Sequence, residues 1–193
     1  MHIASCDHVI KAFATPDEGP WEIYFPYNDP YKNKIAIYSG ESLTTKENPV
    51  ADFAVAKAIL PIENYSKLPV QTPGLSLQYI SSIGEPHPGE EILLWGASSE
   101  KYTTGVIIRQ RQKYSWPHTK YGRLTFGEQF SVAVNPDYTP QVGDSGGYVI
   151  TPEGVLIGLV AALSGEITDS GICLVHCVPV AQCLRLLNMQ ILI

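Results

Sequence analysis

The sequence has no apolar run long enough to cross a membrane and no block of basic residues. A helix that spans a bilayer needs about 20 consecutive apolar residues, and the N-terminus lacks the pattern of a signal peptide. The net charge of −6 disfavours nucleic acid as the main partner. We therefore expect no membrane span and no nucleic-acid partner, and we expect the short basic run at residues 109–113 to lie on a solvated strand or hairpin.

Cysteine is also scarce, and no two cysteines form a C-x-x-C pair. At this density, cysteine usually acts as a small buried hydrophobic residue in a reducing compartment. We therefore expect free thiols and favour a cytoplasmic location. Three of the four cysteines flank His176, a set that could be imagined as a zinc site. That segment has the pattern of a strand that runs into a helix, so we predict no metal there.

Helical spacing is confined to the C-terminal end of the chain. Elsewhere short β-branched and apolar runs recur between turns that draw on 16 glycines and 15 prolines, a pattern typical of an all-β sandwich or barrel. Residues 178–189 have helical spacing, with Pro179 suited to a first turn. Residues 61–88 are rich in Pro, Gly and Ser and are predicted to connect two β halves, residues 1–72 and 73–193.

The most informative short stretch is GDSGG, residues 143–147. A serine is a weak nucleophile at neutral pH and needs a base, a group that orients the base, and donors for the developing negative charge. Gly143 would allow the N–H groups of Gly143 and Ser145 to form an oxyanion hole, while Gly146 and Gly147 would keep the approach to the serine free of side chains. The alternative is a glycine-rich turn with an incidental serine.

This stretch and the sequence around it resemble the chymotrypsin-like serine proteases. GDSGG followed by YVITPEGVLIGLVAAL is similar to the nucleophile region of that family. IASCDHVIKAF is similar to the segment that carries the base and nominates His8, and VADFAVAKAIL is similar to the segment that carries the orienting acid and nominates Asp52. The order His8, Asp52, Ser145 matches this family and differs from other serine hydrolases.

The resemblance implies a serine endopeptidase that acts on peptides or proteins without a cofactor. It also implies two antiparallel β-barrels and a C-terminal helix, in a form like that of bacterial and viral members. Met1 stands only seven residues before His8, so we expect the first barrel to lack its N-terminal strands. Val9 follows His8 where secreted animal members have a cysteine, so we expect neither their disulfide nor zymogen cleavage, and we expect Asp144 to have a partner other than a freed N-terminal amine.

Other histidines and aspartates are rivals for the assigned roles. His2 is close to the terminus, and His87 and His118 neighbour prolines in predicted loops, so we prefer His8 as the base. Asp7 and Asp17 are alternatives to Asp52. An immediate neighbour points away from the base, however, and the turn around Asp17 is not followed by a strand.

The resemblance also locates a pocket for the side chain that precedes the cleaved bond. Thr139, six residues before the serine, would lie at its base, so cleavage after Arg or Lys is not expected. Leu163 would narrow the entrance, which favours a small or medium uncharged residue. His176 could instead select Glu or Gln, the second choice. Three consecutive residues would form the pocket wall and pair with the substrate backbone: Ala161, Ala162 and Leu163.

Two other functions are compatible with the same sequence. A catalytically inactive homologue would keep the fold and its peptide groove as a binding module. A structural piece of a viral polyprotein or capsid would keep the barrels but would normally lose the serine.

Overall fold

The described part of the chain consists mainly of antiparallel strands, as the short β-branched runs predict. The computed structural model describes residues 2–11, 22–25, 33–44, 49–58, 80–96, 101–118, 122–134, 143–167 and 171–190. The strands are β1 (His2–Ser5), β2 (Glu22–Phe25), β3 (Asn33–Ser42), β4 (Ala54–Ala58), β5 (Ser82–Ile83), β6 (Glu91–Gly96), β7 (Lys101–His118), β8 (Gly122–Val134), β9 (Tyr148–Ile150), β10 (Val155–Ile167) and β11 (Cys173–Pro179). The helices are α1 (Asp7–Lys11) and α2 (Val180–Leu186), and α2 confirms the predicted C-terminal helix in a shorter span.

Six strands of the second half close into a barrel. Their order is β11-β8-β7-β6-β9-β10, and β10 also pairs with β11, which closes the ring. Strand β5 adds to β10 in parallel. Each barrel strand contributes a buried side chain to one core: Leu94, Ile107, Val132, Val149, Ile157 and Val175. Burying one such side chain stabilises the fold by about 1.5–3 kcal/mol, so this core holds the barrel in register.

The first half contains a four-stranded sheet in the order β1-β4-β3-β2. All its pairings are antiparallel. Its closure into a first barrel stays a prediction, and so does the division at residues 72 and 73. Most of the predicted connection between the halves lies outside the described residues.

A mixed core joins the two halves beside β10. Phe53, which precedes β4, is fully buried in a cluster with Leu159 of β10 and Leu184 of α2. Cys6 belongs to the same cluster, and its thiol donates a hydrogen bond to the carbonyl oxygen of Val160 at 3.2 Å. The residues between β1 and α1, and those before β4, are therefore fixed against the barrel.

The hairpin of β7 and β8 is the longest element of the fold, with strands of 18 and 13 residues. Bulges interrupt its ladder, and Arg111 and Glu128 adopt left-handed backbone conformations with φ of 50° and 56°. Beyond the bulges, the N–H of Gly127 donates to the carbonyl oxygen of Val50 at 3.1 Å, so the hairpin reaches the first half. The basic run at residues 109–113 lies on β7, as predicted.

The four cysteines are free thiols, as the sequence predicts. Burial raises the pKa of Cys6 and of the other three thiols, so they stay protonated at neutral pH. Neither described helix is long and apolar enough to cross a membrane.

Candidate active site

His8 lies at the start of α1, directly after strand β1. The first N–H groups of a helix have no partner within the helix, and the N–H of His8 donates to Oδ1 of Asp52 at 3.0 Å. Strand β1 pairs antiparallel with β4, with Ser5 opposite Ala54. This pairing brings the segment after β1 close to the segment before β4, so the strand register places the side chains of His8 and Asp52 near each other.

Asp52 forms a second hydrogen bond, with the imidazole ring of His8. Its Oδ2 lies 2.5 Å from Nδ1, and the carboxylate is fully buried. A proton on Nδ1 donated to Asp52 leaves Nε2 free to accept one, which is the tautomer that a general base needs. The predicted pairing of these two residues is therefore present.

Competing effects act on the imidazole, and their balance raises the pKa of His8. Burial lowers the pKa, because it disfavours the charged form. The hydrogen bond and charge of Asp52 and the charge of Asp7 raise the pKa by more. His8 keeps 24% of its side chain exposed, so a substrate can reach the ring.

The GDSGG loop has glycines where its backbone requires them. Gly143 and Gly146 have φ of 102° and 85°, in the region that residues with a Cβ rarely adopt. A Cβ on Gly147 would overlap the carbonyl oxygen of Trp95. The backbone conformation of Gly146 and the close packing of Gly147 each require a glycine. That these two residues also keep the approach to Ser145 free of side chains stays a prediction.

The serine loop lies against the segment that carries His8. A Cβ built on Gly146 would lie 2.6 Å from Oγ of Ser5 and 3.8 Å from a methyl carbon of Val9. These two residues flank His8 in the sequence. The structure therefore brings together the loop of Ser145 and the segment of His8, which are more than 130 residues apart.

The hydroxyl of Ser145 donates a hydrogen bond to the carbonyl oxygen of Ala161 at 3.0 Å. Ala161 and Ala162, both predicted to line the substrate, lie on β10. Leu163 also lies on β10, paired with β11, but its side chain lies outside the described residues. Thr139 lies wholly outside them, so the predicted base of the pocket stays a prediction.

His176 lies on β11 between Ala162 of β10 and Ser131 of β8. Its side chain is 5% exposed, and its ring packs on Tyr114 with centroids 3.4 Å apart. Burial lowers the pKa of His176 to about 4, so the ring is neutral at pH 7. Within the described residues its Nδ1 has no hydrogen-bond partner. The sequence analysis did not predict the contact of Tyr114 with His176, because no motif marks Tyr114 within its long polar strand.

The other histidines lie elsewhere in the fold. His2 is exposed on β1, and His87 is exposed in a loop, as predicted. His118 was predicted to lie in a loop, and this is wrong, because it ends β7 and pairs with Gly122 of β8. The ladder of the long hairpin runs on past Pro117.

The remaining acids have other surroundings. The carboxylate of Asp7 is fully buried and accepts a hydrogen bond from Oγ of Ser42 at 2.6 Å. Asp17 lies outside the described residues. Asp144 is buried beside the serine.

One group of side chains in the described residues could hold a metal ion. Ligand atoms of Cys6, His8 and Asp52 lie within 4.8 Å of one another. A thiol must lose its proton to bind a metal, and both burial and the charge of Asp52 oppose that loss at Cys6. The short hydrogen bond between His8 and Asp52 accounts for the arrangement without an ion.

Comparisons with known proteins bear on the fold. No protein-family model matches the sequence, and comparison with curated proteins found no match. Among solved structures, a glutamic acid specific serine protease with a histidine triad in substrate binding matches at 17% identity, covering 97% of this chain and 84% of its own, with a TM-score of 0.67. Thermobifida fusca protease A matches at 14% identity over 98% of this chain and 83% of its own, with a TM-score of 0.64.

A third match is the chymotrypsin of Cellulomonas bogoriensis, at 17% identity over 90% of this chain and 86% of its own, with a TM-score of 0.59. At sequence identities this low, the structural matches establish the fold and leave the activity open. The chain has the fold of the bacterial chymotrypsin-like serine proteases.

Proposed function

We propose that the chain is a serine endopeptidase, with Ser145 as the nucleophile, His8 as the general base and Asp52 as the acid that orients the base. The observation that carries the proposal is the hydrogen-bonded pair of His8 and Asp52. The GDSGG loop packs against the segment that contains His8. A partly exposed imidazole that is hydrogen-bonded to a buried carboxylate, beside a glycine-rich serine loop, is the arrangement that activates a hydroxyl.

In this mechanism Oγ of Ser145 attacks the carbonyl carbon of the scissile bond. Nε2 of His8 takes the hydroxyl proton and later delivers it to the leaving amine, while Asp52 stabilises the imidazolium. The N–H groups of Gly143 and Ser145 receive the oxyanion, and each such donor contributes about 10²- to 10³-fold in rate. Water then hydrolyses the acyl-enzyme by the same steps, and no cofactor takes part.

A catalytically inactive peptide-binding homologue is the second candidate, and one observation favours it. The hydroxyl of Ser145 donates to Ala161, whereas a poised nucleophile donates to the base. Rotation about χ1 of the serine changes such a partner at little cost, and hydrogen bonds in sites without substrate are often not yet aligned. We therefore rank the enzyme first.

Labelling by a fluorophosphonate probe separates the two candidates, because only an activated serine reacts. We expect the wild-type chain to be labelled and Ser145→Ala and His8→Ala to be unlabelled at equal folded concentration. The variant Ser81→Ala, which alters an exposed serine just before β5, is the control and should still be labelled. A folded wild-type chain that does not react would establish the inactive homologue.

We further propose that the pocket beside His176 accepts Gln or Glu before the cleaved bond. The sequence ranked small or apolar residues first, but that ranking depends on Thr139 and on the side chain of Leu163, which lie outside the described residues. The described residues supply polar groups instead. Nδ1 of His176 is buried and has no hydrogen-bond partner among the described residues. Such an atom costs about 1–3 kcal/mol, and a substrate amide or carboxyl group could supply the partner.

The first structural match, a glutamic acid specific protease, is consistent with this choice. A peptide-library digest read by mass spectrometry tests it. We expect cleavage after Gln or Glu in the wild-type chain and loss of that preference in His176→Val. If both proteins cleave after small or apolar residues, the ranking that places those residues first is correct. Cleavage after Arg or Lys would contradict that ranking and the preference for Gln or Glu alike.

A further inference from the structure

Three aromatic side chains lie together beside the serine loop. Trp95 of β6 is opposite Tyr102 of β7 in the strand register, and Tyr148 begins β9 directly after the GDSGG stretch. The ring centroid of Trp95 lies 4.9 Å from that of Tyr102 and 6.5 Å from that of Tyr148. The two tyrosine rings meet edge to face with centroids 6.0 Å apart, and their hydroxyl groups are hydrogen-bonded to each other. We call these three residues the aromatic cluster.

The aromatic cluster is fixed to the loop that carries the proposed nucleophile. The backbone of Gly147 packs so closely on Trp95 that a Cβ would overlap its carbonyl oxygen. Tyr148 packs against the mixed core that joins the two halves, so the cluster lies on the side of the barrel that faces the segment of His8. All three aromatic residues are nevertheless only partly buried. The cluster therefore presents ring surface to solvent next to Ser145.

Strand order places Trp95 and Tyr102 on the side of the serine loop away from β10. Residues 161–163 of β10 are predicted to pair with the substrate residues before the cleaved bond. They follow Val160, whose backbone forms hydrogen bonds with Gly146 and Gly147 of the loop at 2.8 and 2.7 Å. The order β10-β9-β6-β7 puts β6 and β7 across β9 from that segment. A substrate chain that reaches the loop along β10 therefore continues toward the aromatic cluster after the cleaved bond.

We infer that the aromatic cluster is the subsite of the proposed protease for the side chain that follows the cleaved bond, and that it selects an aromatic side chain there. This inference rests on the proposed function. A cross-strand aromatic pair also stabilises a hairpin, so the cluster's contact with the loop carries the inference, and not the presence of the rings. Because the tyrosine hydroxyls pair with each other, the cluster offers a substrate its ring surfaces, which favour an aromatic partner.

The first test is peptide binding to Ser145→Ala protein, which requires no catalysis. Two peptides have Gln before the position of cleavage and differ only in the next residue, which is Phe in one and Gly in the other. We expect the Phe peptide to bind about fivefold more tightly by isothermal titration calorimetry, because its ring packs on the cluster. Tyr102→Leu in the same protein should reduce the difference to less than about twofold, and Tyr102→Phe, which keeps the ring, should retain it.

The second test measures the same preference during turnover. An acyl-enzyme formed from an ester substrate partitions between water and an added amine, and the amine takes the place of the residue after the cleaved bond. The ratio of transfer to phenylalanine amide and to glycine amide does not depend on the amount of folded enzyme. We expect a preference of about fivefold for phenylalanine amide in the wild-type chain and its loss in Tyr102→Leu. Val106→Ala, which alters an exposed side chain of the same strand, is the control and should keep the preference.

Equal binding of the Phe and Gly peptides would overturn the inference, and so would tighter binding of a peptide with Lys at the same position. A preference for Phe that survives in Tyr102→Leu would leave the cluster with a structural role only. If Tyr102→Leu folds poorly, Tyr148→Leu takes its place and its results have the same meaning. The binding comparison does not depend on cleavage, whereas fluorophosphonate labelling does not depend on the residue after the bond. The two measurements therefore separate failure of this inference from failure of the proposed function.

Discussion

Replacing Asp52 with asparagine removes one charge from a fully buried position and keeps the size of the side chain. Asp52 accepts two hydrogen bonds from His8, at 3.0 Å from the backbone N–H and 2.5 Å from Nδ1. An amide nitrogen placed toward the ring would donate to Nδ1 and force the proton onto Nε2, the atom that accepts the proton of Ser145 in the proposed mechanism. We expect kcat to fall by about 10⁴-fold, equivalent to about 5.5 kcal/mol.

The same substitution has a defined effect on stability as a function of pH. The folded pKa of His8 is raised above its ordinary value of 6.5, so the linked stabilisation is fully present below pH 6.5 and is lost as pH rises through the folded pKa. Asp52 supplies much of that rise. The free energy of unfolding should therefore decrease more in Asp52→Asn at about pH 6 than at about pH 9.

The assay is kcat and kcat/KM with a fluorogenic peptide across pH, with urea unfolding at both pH values. Glu153→Gln makes the same chemical change at an exposed turn and should behave as the wild-type chain does. An Asp52→Asn enzyme that keeps more than about a tenth of its activity would refute the role of Asp52 in fixing the tautomer. Equal destabilisation at both pH values would refute the charge argument.

Three further outcomes are expected. Gly147→Ala should lower the free energy of unfolding, measured by urea titration, by about 3 kcal/mol, because the new Cβ would overlap the carbonyl oxygen of Trp95. In the control variant Gly127→Ala the atom nearest to the new Cβ would lie 3.8 Å away, so the free energy of unfolding should stay within about 1 kcal/mol of wild type. The preference for Glu over Gln should stay constant between about pH 7 and pH 9, because burial lowers the pKa of His176 to about 4 and the ring is neutral throughout that range; a preference for Glu that changes over this range would show that a titrating charge, and not neutral His176, selects the substrate. Thiol titration should find four reactive groups in the unfolded chain and at most one fast group in the native chain, and fewer than four after unfolding would indicate a disulfide.

The parts of the site that the sequence predicted depend on local chain properties. The turn of GDSGG requires glycines whatever the rest of the fold does, and Gly143 adopts the left-handed conformation expected of it. His8 and Asp52 each stand next to a short strand, and antiparallel pairing of those two strands suffices to bring them together. Strands β2 and β3 lie between β1 and β4 in the sequence, so the tendency of consecutive strands to pair does not predict this contact. The resemblance to a known family nominated both residues.

The contacts that the sequence did not predict each depend on distant segments. Asp7 was judged only against Asp52 as an orienting acid, and its hydrogen bond to Ser42 joins the start of α1 to the end of β3, 35 positions away. No periodicity within either segment encodes that contact, because it follows from the arrangement of β3, β4 and β1 in one sheet.

The pocket is harder still to predict, because bulges decide which face of the hairpin each residue occupies. A shift of one residue in a strand moves every following side chain to the opposite face. The β7–β8 ladder shifts between Arg109 and Gln112 and again before Tyr114, and Arg111 takes its left-handed conformation without being a glycine. If the alternation of side chains between the two faces of β7 is counted from the barrel end, it therefore cannot show that Tyr114 lies on the same side as His176. The ring contact that buries His176 thus depends on irregularities that carry no sequence signal. The specificity that we propose for the pocket depends in the same way on the hairpin, and not on the motif that nominates the nucleophile.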